Sequence, residues 1–132
     1  TIIIGIGIND TIYIKNKQQE AIKIKEFISN ISKIIAIATT YTNNILILGL
    51  TNVIEERTTP ILWNDNEMYF NDTIKEYDIA LENYCNTNKV QYLKLFDVLQ
   101  QIDFSDDGIH PNEKGHEKIF KAIKVKGEIS KL

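Results

Sequence analysis

Thr1-Ile2-Ile3-Ile4-Gly5-Ile6-Gly7 is apolar at nearly every place and closes on a glycine. A strand with apolar side chains on both faces needs cover on both, which is the mark of a parallel sheet held between layers of helices. Ile45-Leu46-Ile47-Leu48-Gly49-Leu50 repeats the pattern, and Val90-Gln91-Tyr92-Leu93-Lys94-Leu95-Phe96 gives a third run whose Gln91 and Lys94 suit a sheet edge. The stretches between them change period from two to 3.6. Residues 17–41 place Ala21, Ile24, Ile28, Ile31, Ile35 and Ala38 at steps of three and four, with Ile22, Phe27, Ile34 and Ile37 widening the stripe. Residues 66–86 do the same with Phe70, Ile74, Tyr77, Leu81 and Tyr84, whose aromatic members read as core. A last helix runs to about residue 124 with Ile119, Phe120 and Ile123 inward and His116 half-buried on the same face, and residues 125–132 read as a frayed end.

Composition narrows the function. A chain of 132 residues with 43% hydrophobic content fits one domain with a real core, and a net charge of -3 gives no basic footprint for nucleic acid. A small neutral or polar ligand is the expected partner. No apolar run approaches the ~18 residues that argue for a membrane span. The single Cys85, set in Glu82-Asn83-Tyr84-Cys85, reads as packing, since nothing basic stands near it to lower a thiol pKa. The chain opens inside a buried strand without an initiator methionine or a leading loop, so it is expected to be cut or incomplete at its start. Localisation stays unassigned on this reading, with the cytoplasm favoured over secretion.

Two motifs carry chemistry. Gly7-Ile8-Asn9-Asp10 stands where the first strand runs out; glycine lets the backbone turn, and the Asn9 amide can donate to an oxyanion or simply end the strand as an Asx-turn. Asp107-Gly108-Ile109-His110-Pro111 puts a carboxylate three residues before a histidine, with a glycine to allow the tight turn between them. That spacing sets the acid against one ring nitrogen and leaves the other for a nucleophile, although a helix-capping loop with a chance histidine has the same residues. Pro111 keeps His110 out of helical backbone and starts the next helix. The long stretch 51–66, with Trp63, leaves the carboxyl end of a strand, where α/β sheets put their ligands.

Together, Gly7-x-Asn9-Asp10 and Asp107-Gly108-Ile109-His110-Pro111-Asn112 with Gly115-His116 resemble two sequence blocks of the SGNH hydrolases, also called GDSL lipases or acylhydrolases. Thr58-Thr59-Pro60, Trp63-Asn64, Ile74-Lys75-Glu76-Tyr77-Asp78 and Leu95-Phe96-Asp97 extend the likeness to lysophospholipase-like esterases of that family. The resemblance implies a three-layer α/β/α, flavodoxin-like parallel sheet, with its first strands missing from this chain. It implies that residues 1–132 are the C-terminal portion of a single such domain, with serine esterase chemistry without metal or organic cofactor: His110 as general base, Asp107 orienting it, Asn9 as one oxyanion donor and Gly7 as the turn glycine; the long loop 51–66 with Trp63 is expected, from its place after a strand end, to shape the substrate pocket. The chain departs from the family at the nucleophile, for there is no Gly-Asp-Ser, and Ser29, Ser32, Ser105 and Ser130 lack a strand-to-helix setting. The serine is therefore expected outside the chain, the isolated chain is expected to be inactive, and the edge of strand 1–7, stripped of its neighbour, is expected to drive self-association.

Two alternatives stay open on sequence. Asp103, Asp106, Asp107 and His110 form an acidic cluster suited to a metal-dependent phosphoesterase, and a catalytically dead or truncated relative would be a binding module.

Overall fold

The structure is a computed structural model that describes residues 1–129. From the N-terminus, β1 (Ile2–Ile4) leads through a 3-10 turn at Ile8–Thr11 to β2 (Tyr13–Ile14), β3 (Gln19–Glu20) and α1 (Ile24–Thr39). Then come β4 (Ile45–Leu48), α2 (Glu55–Thr58), β5 (Glu67–Met68), α3 (Asn71–Thr87), β6 (Gln91–Leu93) and α4 (Glu113–Ile129). The three apolar runs form one parallel sheet in the order β1-β4-β6.

Register decides which side chains share a face. Ile4, Ile47 and Tyr92 lie side by side, as do Ile3, Leu46 and Gln91 on the opposite face. The first set packs into the main core with Phe27, Ile31, Ile35 and Ala38 of α1 and Ile74, Tyr77, Leu81 and Cys85 of α3. Ile74 and Leu81 are fully buried, each contributing about 1.5–3 kcal/mol by transfer from water. α4 lies over the other face, where Ile123 and Lys126 share a hollow with Ile3 and Leu46. Helices thus cover both faces, giving the expected three layers. β6 is an edge strand, as Gln91 and Lys94 suggested. Cys85 is buried, and burial pushes its thiol up to about 11, which keeps it inert packing.

Several boundaries differ from the sequence reading. The helix expected over 17–41 starts only at Ile24, because 13–20 fold back as the hairpin β2-β3 around Gln18 at φ 52°. β5 pairs with the other side of β2, which makes a second, antiparallel sheet and moves the start of the next helix from 66 to Asn71. The stretch 51–66 holds the single turn α2 and is not irregular throughout. Ile37 is 63% exposed and does not widen the buried stripe of α1. On α4, buried Gly115 lies against the backbone of Asp103 and Ile119 follows one turn later; His116 and Phe120, one step on at 100° per residue, are swung outward and exposed. Residues 125–129 continue α4 instead of fraying, and 130–132 lie outside the described residues.

Candidate active site

At the end of β1 the backbone turns at Gly7 with φ 117°, where a Cβ would sit 2.7 Å from the Phe27 ring, so only glycine lets the chain pass so close to α1. The 3-10 turn that follows lifts Asn9 to the surface above the carboxyl edge of the sheet, and Thr11 Oγ1 ties the turn by donating to the Ile8 carbonyl at 2.7 Å. Asn9 Oδ1 accepts a hydrogen bond from the hydroxyl of Tyr69 at 2.8 Å. Burial, with the charges of Glu67 and Asp107, pushes the Tyr69 phenol up to about 12, so it is a protonated donor at neutral pH.

The second corner is the loop before α4. His110 Nδ1 and Asp107 Oδ2 are 2.7 Å apart, while Asp107 Oδ1 accepts the backbone N–H groups of Ile109 at 2.8 Å and His110 at 2.9 Å. Burial alone would raise the Asp107 carboxyl, but the bonds from His110 and Ile109 outweigh it and hold the acid below the ordinary carboxylate range. An ionised Asp107 accepts from a proton on Nδ1 and leaves the Nε2 side of the ring open, on a side chain that is 67% exposed. Gly108 makes the turn at φ 74°, and its carbonyl accepts the Ile54 N–H at 2.8 Å, which fixes the loop to the residues leading into α2. On the other side Asn112 caps α4, its Oδ1 taking the Gly115 N–H at 3.1 Å and its Nδ2 donating to the carbonyls of Ile102 and Phe104.

Ile8 and Pro111, the neighbours of Asn9 and His110, line one apolar hollow of about 190 Å³ with Gly5, Ile6, Leu48 and Ile119. The sequence neighbours of the two corners thus meet in one hollow beside β1. Trp63 is 61% exposed in the turn bridged by Ile61 and Asn64.

The acidic cluster does not converge. Asp103 is buried, bonded to Lys118 Nζ at 2.5 Å and to the Gln100 N–H at 2.8 Å; the Lys118 bond, then the Gln100 bond, lowers its carboxyl. Asp106 is exposed, and no three His, Cys, Asp or Glu side chains among the described residues gather as a cation site. Ser29 and Ser32 sit within α1, and Ser105 uses its backbone N–H on the His110 carbonyl at 2.8 Å.

Sequence reasoning passed over three residues here. Tyr69 had no reading in the sequence, and Asn112 stood as part of a motif without a role of its own. Asp78 read as part of a helix, yet it is buried on α3 and accepts the Leu50 N–H at 2.8 Å and the Tyr92 hydroxyl at 2.7 Å, locking α3 to the strand ends. A buried-side acid on an otherwise apolar helical stripe is the one signal that pointed to it.

The chain thus presents an α/β/α sheet with an Asp–His pair and a turn asparagine at its carboxyl edge. Residues 1–118 match the model of the GDSL-like Lipase/Acylhydrolase family, and the chain belongs to that family. Among solved structures it is similar to a Bacteroides fragilis protein provisionally assigned as an acylhydrolase, at 16% identity and TM-score 0.76, covering 97% of this chain and 61% of that one. It is also similar to a GDSL-like lipase from Bacteroides thetaiotaomicron, at 16% identity and TM-score 0.71, covering 97% and 62%. A lipase/acylhydrolase from Enterococcus faecalis matches at 16% identity and TM-score 0.70, covering 96% and 60%. The chain thus spans about three fifths of the length of these structures. No curated protein matches it. Among the described residues no helix is long and apolar enough to cross a membrane.

Proposed function

We propose that this chain is the C-terminal portion of a hydrolase domain that cleaves carboxylic esters through a Ser-His-Asp triad, with the serine on a segment outside these residues. The observation that carries the reading is the 2.7 Å contact between His110 Nδ1 and Asp107 Oδ2 with the Nε2 side open. In this reading His110 Nε2 takes the serine proton as Oγ adds to the ester carbonyl, and the oxygen that gains the negative charge meets the Asn9 amide. Collapse of that intermediate breaks the bond to the alcohol, which leaves with the proton from His110. Water then repeats the sequence on the acyl-serine, giving the carboxylic acid and the free enzyme. No metal is needed for these steps, and a small-molecule ester fits the family.

The open edge of β1 and the apolar hollow between Ile8 and Pro111 support the seating of the serine-bearing segment there. Ile3 in that strand and Ile6 just beyond it, 49% and 46% exposed, are the surface it would cover, and without it the same edge is expected to pair chains with one another. The test uses the chain alone and the chain joined to a Gly-Asp-Ser segment, each run on size exclusion and assayed with nitrophenyl acetate. The chain alone is expected to self-associate and to show no saturable turnover, and the joined protein to turn over and to be blocked by a serine-directed phosphonate. Saturable, phosphonate-sensitive turnover by the chain alone would mean that the nucleophile is within it.

A further inference from the structure

The Asn9 amide presents a problem that its position at a strand end does not solve. A carboxamide has two faces of similar shape, and a half-turn about its last bond exchanges the donor Nδ2 for the acceptor Oδ1. Only one of the two orientations offers hydrogens to a developing negative charge; the other presents a lone pair and repels it. An exposed asparagine with no anchor samples both.

We propose that Tyr69 is the positioning residue for Asn9, its hydroxyl holding Oδ1 so that the Nδ2 hydrogens stay turned toward the open site. This rests on the ester-hydrolase reading above and adds a residue to it. The hydroxyl donates to Oδ1 at 2.8 Å, and among the described residues no protein acceptor takes the Nδ2 hydrogens. Tyr69 itself has no freedom to drift. Its ring is buried, its N–H donates to the Thr58 carbonyl at 3.0 Å, and the fully buried Thr58 hydroxyl donates back to the Tyr69 carbonyl at 3.3 Å.

The second sheet explains how residues so far apart in sequence meet. β2 leaves the Asn9 turn and pairs with β5 through Tyr13↔Met68 and Ile14↔Glu67, so Tyr69, next along the chain, is delivered beside the turn. The Phe70 ring then stacks edge-on against Tyr13 at 6.0 Å, fastening the same junction. Two-residue strands are too short to stabilise much by themselves. Their consequence is geometric, because they fix the separation of Asn9 and Tyr69, and preorganised donors are what make an oxyanion site effective.

The experiment reads orientation first and rate second. In the ¹⁵N-labelled joined protein, the Asn9 side-chain amide signal, identified by its loss in Asn9→Asp, is expected to move toward the values of a free asparagine in Tyr69→Phe. Backbone amides of β5 and α2 should stay in place, because the ring is kept. An Asn9 signal unchanged by Tyr69→Phe overturns the proposal. In the chain joined to its serine-bearing segment, Tyr69→Phe should lower kcat about tenfold at constant KM, less than the roughly 10²- to 10³-fold cost of losing an oxyanion donor outright. In an Asn9→Ala background the same substitution should cost nothing further, and an equal loss in both backgrounds also overturns the proposal. If the joined protein had no His110-dependent turnover while the Asn9 signal still moved, the ester-hydrolase reading would fail and the Tyr69–Asn9 contact would stand.

Discussion

The two corners of the site are built on opposite plans. Around His110, each hydrogen bond to the Asp107 carboxylate comes from within three residues of it, from the N–H groups of Ile109 and His110 and from the ring. Around Asn9, the one side-chain partner among the described residues is Tyr69, sixty residues away, brought in by the pairing of β2 with β5. The Asp107–His110 corner is a local motif that needs only its own turn and a place to rest. The amide corner is a product of tertiary structure. For this reason the first corner shows in the sequence as a spacing, and the second only as an amide near a strand end.

The local corner should break with the largest effects. In the chain joined to its serine, Asp107→Asn is expected to cost up to about 10⁴ in kcat, because the amide that replaces the acid stabilises the wrong imidazole tautomer and no longer compensates the charged ring. Steady-state rates on a nitrophenyl ester measure this, and a loss below tenfold would show that His110 does not depend on Asp107. At the distant corner the effect should be smaller and confined to one constant. Asn9→Ala is expected to lower kcat by about 10² to 10³ with little change in KM, since the charge it meets exists only in the transition state. A raised KM at constant kcat would instead make Asn9 a ground-state binder.

The comparison sharpens further at the turn itself. Gly108→Ala would force a side chain into φ 74° and set its Cβ 2.9 Å from that of Arg57 and 3.2 Å from the Ile54 carbonyl. A stability loss of about 1–3 kcal/mol is expected from strain of this kind, read as a lower midpoint in urea. An unchanged midpoint would mean that the loop relaxes freely and that its geometry is not enforced by its contact with the residues before α2.

What was legible in the sequence follows the same division. The three strands of the main sheet announced themselves because a doubly covered strand is apolar throughout, and α3 and the later part of α1 because Ile31, Ile35, Ile74 and Leu81 hold helical spacing over several turns. Asp107 and His110 were visible because three residues of sequence are also the distance of their contact. The small sheet was not, for strands of two residues have no period to detect, and Ala21 and Ile22 happened to continue the helical pattern backward into a hairpin. His116 and Phe120 were misplaced because a one-step rotation about α4 separates the packed from the exposed face, and the close approach of Gly115 to Asp103 that sets the rotation is a tertiary contact. Asp103 read as a member of an acidic group until Lys118, fifteen residues on, was seen to claim it.

The most direct test of the account is the turnover of the joined protein with and without the His110 ring, because every proposed proton transfer passes through Nε2. The account predicts that His110→Ala retains the fold, since the ring is exposed and Asp107 keeps its bonds to the backbone N–H groups of Ile109 and residue 110. It also predicts that kcat falls by about 10⁶, the scale on which a triad fails when its base is removed. Hydrolysis of a nitrophenyl ester within tenfold of the parental rate by a folded His110→Ala protein would contradict it.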